Sequence, residues 1–132
     1  MSLARIRHLH PDPRRSGPFV ERGIDVVDAA VNRIGAWFDY FSNDNVLYAI
    51  SNAVGAIACD AALPAAGGAV LELGGGLGSG AEALLSRLGG KGRAACVSSY
   101  RFSEISLPFL RRAQKSLTAR FPQAPFAFAR LD

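Results

Sequence analysis

From Ile24 onward apolar side chains recur every three or four positions: Ile24, Val27, Val31, Ile34, Phe38 and Phe41. That spacing lays one apolar stripe along a helix of about four to five turns. Ser42-Asn43-Asp44 then offers N-cap oxygens, and Val46, Leu47, Ile50, Val54 and Ile57 predict a second amphipathic helix. Pro64 and Gly67-Gly68 close this helical region, residues 23–68. The period then changes. Ala69-Val70-Leu71-Glu72-Leu73 is a short apolar run with one acid near its end, the pattern of a buried parallel strand. Gly74 to Gly80 holds five glycines in seven residues, and a helix is expected over 81–88, with Gly89-Gly90 ending it through positive φ. A second strand is expected over 93–102. Ser106 caps the next helix, Pro108 sits in its first turn, and Leu110, Ala113, Leu117 and Phe121 form its buried stripe. Pro122 and Pro125 make a turn before a third strand over 126–131. From residue 69 the order is therefore β-α-β-α-β, which implies an α/β fold with a parallel sheet and right-handed crossovers.

Composition narrows the classes. Half the residues are hydrophobic (49%) and a fifth charged (20%), the balance of a globular chain rather than a disordered one. No apolar run reaches the ~20 residues of a membrane helix. No apolar segment follows the N-terminal arginines as an export signal would require, so a cytoplasmic location is expected. Residues 1–22 read as a loose Arg/Pro-rich leader. Cys59 and Cys96 stand apart, a pattern of neither a disulfide framework nor a zinc site. His8 and His10 lack a third ligand, so no metal is expected. The net charge of +4 is concentrated at the two ends: residues 23–100 hold four basic and seven acidic residues. Without a basic stripe interleaved with aromatics, this charge disfavours a nucleic-acid partner.

The glycine segment carries the candidate chemistry. A strand feeding a helix through glycines brings bare backbone close to a ligand and points free N–H groups at its anionic part. Dinucleotide sites use G-x-G-x-x-G/A directly after the strand. Here the register is Gly74-Gly75-Gly76-Leu77-Gly78, with Ser79 at the sixth position. A formal match at Gly78, Gly80 and Ala83 starts five residues beyond Leu73, too late for the tight turn. An NAD(P)-binding oxidoreductase domain therefore stands as the alternative reading, together with a non-catalytic protein retaining only this half-fold.

Glu72-Leu73-Gly74-Gly75-Gly76-Leu77-Gly78 resembles motif I, E/D-x-G-x-G-x-G, of the class I S-adenosylmethionine-dependent methyltransferases. Residues 102–113, Phe-Ser-Glu-Ile-Ser-Leu-Pro-Phe-Leu-Arg-Arg-Ala, are similar to the segment in which an acid after the second strand precedes Ile-Ser. Tyr100-Arg101-Phe102-Ser103 resembles the Tyr-x-Phe-Thr of polyketide-synthase-type and free-standing methyltransferase domains, with Ser for Thr and Glu for Asp. Leu131-Asp132 matches the end of the third strand. The resemblance implies a Rossmann-like sheet and S-adenosyl-L-methionine as cofactor. It implies Glu72 near the methionine end, Gly74, Gly76 and Gly78 lining the loop, Glu104 on the ribose hydroxyls and Asp132 on the adenine amino group. No catalytic residue is assigned. The implied partner is a small-molecule or carrier-bound methyl acceptor, with Trp37, Tyr40 and Phe41 as candidates to line its site.

The match covers residues 69–132, the first part of the family's fold. Later strands of such a sheet have no counterpart in the sequence. The expectation is a truncated domain that recognises cofactor without turning over alone, with oligomerisation as one way to cover an open sheet edge.

Overall fold

The structure, a computed structural model, describes Arg33 and residues 35–131. The chain divides between Ala36 and Trp37, and the compact unit Trp37–Asp132 carries every element described below. The expected leader, the stripe residues Ile24, Val27, Val31 and Ile34, and Asp132 lie outside the described residues.

The elements run α1 (Val46–Ala62), β1 (Gly68–Leu73), α2 (Ser79–Gly90), a 3-10 turn (Ala94–Cys96), β2 (Val97–Glu104), α3 (Leu107–Arg120) and β3 (Phe126–Arg130). The strands form one three-stranded parallel sheet in the order β1-β2-β3. This is the parallel α/β arrangement that the sequence pattern implies, and it is Rossmann-like as the resemblance implies. Each crossover helix returns the chain to the next strand on the same side, as right-handed connections require when strand order follows sequence order.

The core lies between the sheet and its crossover helices. Leu84, Leu85 and Leu88 of α2, Leu110, Ala113 and Leu117 of α3, and Val97, Tyr100 and Phe102 of β2 belong to one buried cluster. The stripe expected of α3 is thus the buried one, apart from Phe121, which is only partly covered. On the opposite face the alternation of β1 leaves Leu71 and Leu73 exposed. That face has no covering layer among the described residues.

Among the boundaries that differ from expectation, three have a clear local reason. The cap of α1 is Asn45, one residue later than the Ser-Asn-Asp run, because its side chain accepts from Leu47 N–H at 3.2 Å. The second strand starts at Val97 because the 3-10 turn takes up the residues before it. Gly89 and Gly90 remain helical without positive φ, and it is Gly92 that adopts φ +67° beyond the helix end.

The apolar stripe of α1 is also turned outward. Leu47, Ile50, Val54 and Ile57 are exposed, and the buried positions of that helix are Ala56 and Asp60. Small residues face α2 because close helix approach, rather than bulk, seats α1 there.

Candidate functional site

Parallel strands end where the chain must turn back, so the carboxyl ends of β1 and β2 and the loops after them form one rim. β1 ends at Leu73 opposite Ser103. The loop stays tied to the sheet through Gly75 N–H, which donates to Ser103 O at 2.9 Å. Gly78 N–H donates back to Gly75 O at 2.9 Å, and Gly78 then caps α2 at φ +88°. Gly74 and Gly76 also lie in the left-handed region, at φ +67° and +58°. Alternate left-handed residues fold the loop tightly enough for α2 to start at Ser79, and side chains disfavour that backbone.

Two contacts show why the neighbouring glycines are bare. A Cβ on Gly75 would stand 2.3 Å from the buried Phe102 ring, and one on Gly78 would stand 2.8 Å from Leu117. Those positions serve packing. At Gly74 and Gly76, by contrast, a Cβ would meet nothing within 4 Å among the described residues. Their open side faces a cavity of about 460 Å³, bounded also by Glu104, Ile105 and Ser106.

Glu104 ends β2 and is only 5% exposed. Its Oε2 accepts from Gly76 N–H at 2.8 Å and its Oε1 from Ser106 N–H at 2.8 Å. One carboxylate therefore clasps the glycine loop and the start of α3 together. Charge-assisted bonds of this length are the strong kind, and each carboxylate oxygen keeps a second lone pair for a donor from outside.

Aromatic side chains complete the cavity. Trp37 stacks on Phe41 with ring centroids 5.2 Å apart, and Phe41 meets Tyr48 edge-on at 5.4 Å. Trp37, Phe41, Tyr48 and Phe109 all line the cavity, whereas Tyr40 does not. Phe38 instead packs on Phe109 and carries the Arg112 guanidinium 4.2 Å above its ring. Tyr48 and Phe109 had no distinguishing signal in the sequence, since aromatics at helical spacing read equally well as core.

Glu72 is placed elsewhere. It sits with Asn52 and Cys59 of α1 and Tyr100 of β2 around a separate cavity of about 190 Å³. Its Oε2 accepts from the Tyr100 hydroxyl at 2.7 Å, and its Oε1 lies 2.9 Å from where a Gly80 side chain would begin. Burial pushes the Glu72 carboxyl above its usual range, and the Tyr100 hydroxyl opposes that shift. Burial first, and then the adjacent Glu72 charge, drives the Tyr100 phenol well above its ordinary value. The structure thus brings Gly74, Gly76 and Glu104 to one cavity, sets Gly78 behind it against α3, and puts Glu72 on the α1 side of the loop.

Sequence reasoning missed one polar centre. Asp60, in the last turn of α1, is 2% exposed and binds Lys91 Nζ at 2.6 Å, Arg87 Nε at 2.9 Å and the Arg93 guanidinium. The Lys91 ammonium, helped by Arg87 and Arg93 against the cost of burial, holds the Asp60 carboxyl below its usual range. Arg93 also donates to the carbonyls of Asp60 and Leu63 at the helix end. The signal available was an acid in a C-terminal turn, where the helix dipole disfavours negative charge unless cations answer it. Among the described residues no helix is long and apolar enough to cross a membrane, and no group of three metal-binding side chains converges.

No family model and no curated protein matches the chain. The chain is similar to the crystal structure of DszA carbon methyltransferase, with a TM-score of 0.50 and 22% identity over 71% of this chain. It spans about a quarter (24%) of that protein's length. The likeness establishes the fold.

Proposed function

We propose that this chain is the cofactor-binding portion of an S-adenosylmethionine-dependent methyltransferase, using Gly74, Gly76 and Glu104 as its ligand surface. The observation that carries the reading is the clasp of Glu104 on Gly76 N–H at 2.8 Å, beside a cavity floored by bare glycine backbone. The residues suit the group. Empty space above Gly74 and Gly76 admits a ligand to backbone contact. The anchored Glu104 carboxylate presents spare lone pairs suited to the paired hydroxyls of a ribose. Ile105, largely exposed beside it, offers an apolar surface to a base.

When bound, S-adenosylmethionine supplies a methyl group already activated on a sulfonium. The chain's own part is then alignment and exclusion of water. Gly76 and Glu104 hold the nucleoside side rigidly because each is fixed to a strand end. Trp37, Phe41 and Tyr48 give the cavity an aromatic wall that keeps water away and faces a methyl acceptor. Glu72 would act through the loop: bonded to Tyr100 and close against Gly80, it braces the first turn of α2. Asp132, expected on the adenine amino group, lies outside the described residues.

For the acceptor, a carbon of an acyl thioester or related small natural product fits best. The solved structure this chain is similar to is a carbon methyltransferase, and Tyr100 to Ser103 resembles polyketide-type domains. Isothermal titration with S-adenosylhomocysteine and, separately, NAD+ tests the reading. One saturable site for the first and none for the second is expected. Binding of NAD+ alone would replace the reading with an oxidoreductase domain, and binding of neither with a non-catalytic half-fold.

A further inference from the structure

A second cavity, about 610 Å³, opens at the other end of the sheet. Val97, the first residue of β2, lies in its wall, while Glu104 closes the same strand at the glycine-loop cavity. At ~3.3 Å per residue those positions stand roughly 23 Å apart, so the two cavities are distinct.

Two features mark this cavity out from a packing defect. Among the described residues its lining holds none that is charged, in a chain where one residue in five is charged. Its polar groups reduce to a few neutral ones, Ser86, Ser98 and Gln123, among aliphatic carbon, Phe121 and two prolines. The second feature is the floor. Gly89 and Gly90 follow Leu85 and Ser86 at i+4, so their missing side chains would point the same way, into the cavity. Neither glycine has positive φ, and a Cβ on either would meet nothing within 4 Å among the described residues. Turn geometry and packing therefore require neither glycine, although glycine is a poorer helix former than alanine. What their absent side chains provide is space over bare backbone.

We infer that this cavity is a binding site for a small uncharged amphiphile: an alkyl or aromatic body resting on the glycine floor, with one neutral hydrogen-bonding head. Size and charge select that class. The volume falls in the range of small-molecule sites, with mostly apolar walls and a few polar groups. With no cation or anion among the described residues of the wall, none of them compensates a charged head for the hydration it gives up on entering.

The test is titration of the full chain, labelled with nitrogen-15, with 1-octanol and with octanoate, followed through backbone amide shifts. Saturable shifts centred on Gly89, Gly90, Ala94 and Ala124 are expected with octanol, and at least tenfold weaker binding with octanoate. Gly89→Leu should fill the cavity and weaken octanol binding at least tenfold, with no fall in thermal midpoint. Ala124→Phe, from the opposite wall, should do the same and serves if the first variant fails to fold. Shifts centred on Leu47, Ile50 and Leu71 instead, or equal binding of octanoate, would overturn the inference. So would unchanged affinity in a folded filling variant, or shifts that appear with rising protein concentration alone, as a second copy would give. S-adenosylhomocysteine binding plays no part in these readouts, so this inference and the methyltransferase reading fail separately.

Discussion

Replacing Glu104 by alanine removes the acceptor of two backbone donors at once. Gly76 N–H and Ser106 N–H, both at 2.8 Å from the carboxylate, are left facing the space where a buried side chain stood. Each lost bond to a charged acceptor costs roughly 1.5–3 kcal/mol, and water entering through the adjoining cavity recovers part of it, so about 2–3 kcal/mol of net destabilisation is expected. For a unit of this size that corresponds to a fall in Tm of about 10–15 °C. Glu104→Gln keeps one carbonyl acceptor but turns an amide NH2 toward the other donor, and should cost about 1–2 kcal/mol. Urea unfolding followed by circular dichroism reads both numbers. The same variants should weaken S-adenosylhomocysteine binding, alanine more than glutamine. A loss of stability under about 0.5 kcal/mol for Glu104→Ala would refute the clasp as a structural element, because two stranded donors cannot be so cheap.

Four further outcomes follow from the geometry. Gly75→Ala drives a Cβ into the Phe102 ring and should cost roughly 1–3 kcal/mol in urea unfolding, with far less effect in a Phe102→Leu background. Glu72 has a raised folded pKa, so its contribution to stability declines as pH rises from its unfolded value through the folded one; Glu72→Gln should flatten that limb of the stability–pH curve. Tyr100→Phe, which removes the opposing hydroxyl, should steepen the same limb. Asp60 has the opposite sign: its stabilisation is present above the unfolded pKa and lost as pH falls through the lowered folded one. Asp60→Asn should therefore melt below the parent at pH 7 and converge with it in acid.

What could be read from the sequence was whatever depends on near neighbours. The change from a period of 3.6 to a continuous apolar run at Ala69 marks β1, and the stripe Leu110, Ala113, Leu117 marks the buried side of α3. The glycine loop was legible because left-handed backbone and close approach leave few other residue types. Its division of labour was not. Gly75 and Gly78 are bare for Phe102 and Leu117, residues distant in sequence, whereas Gly74 and Gly76 are bare toward open space. Glu104 showed the same limit: its position at a strand end was visible, but the two N–H groups it holds come from segments on either side of β2. The outward turn of Leu47, Ile50 and Val54 reverses what amphipathic spacing suggests, since spacing finds a stripe without saying what meets it. Asp60 gains meaning only when α1 docks against the end of α2 and Arg93 arrives from the turn beyond.

The central claim is that Gly76 and Glu104 form the ligand surface of a methyltransferase cofactor site. Isothermal titration of the purified chain and its Gly76→Val variant with S-adenosylhomocysteine tests it most directly. Saturable one-to-one binding by the parent, lost in a variant that keeps its far-ultraviolet dichroism, is the predicted result. Equal affinity in parent and variant, or a parent that binds NAD+ and not S-adenosylhomocysteine, would contradict it.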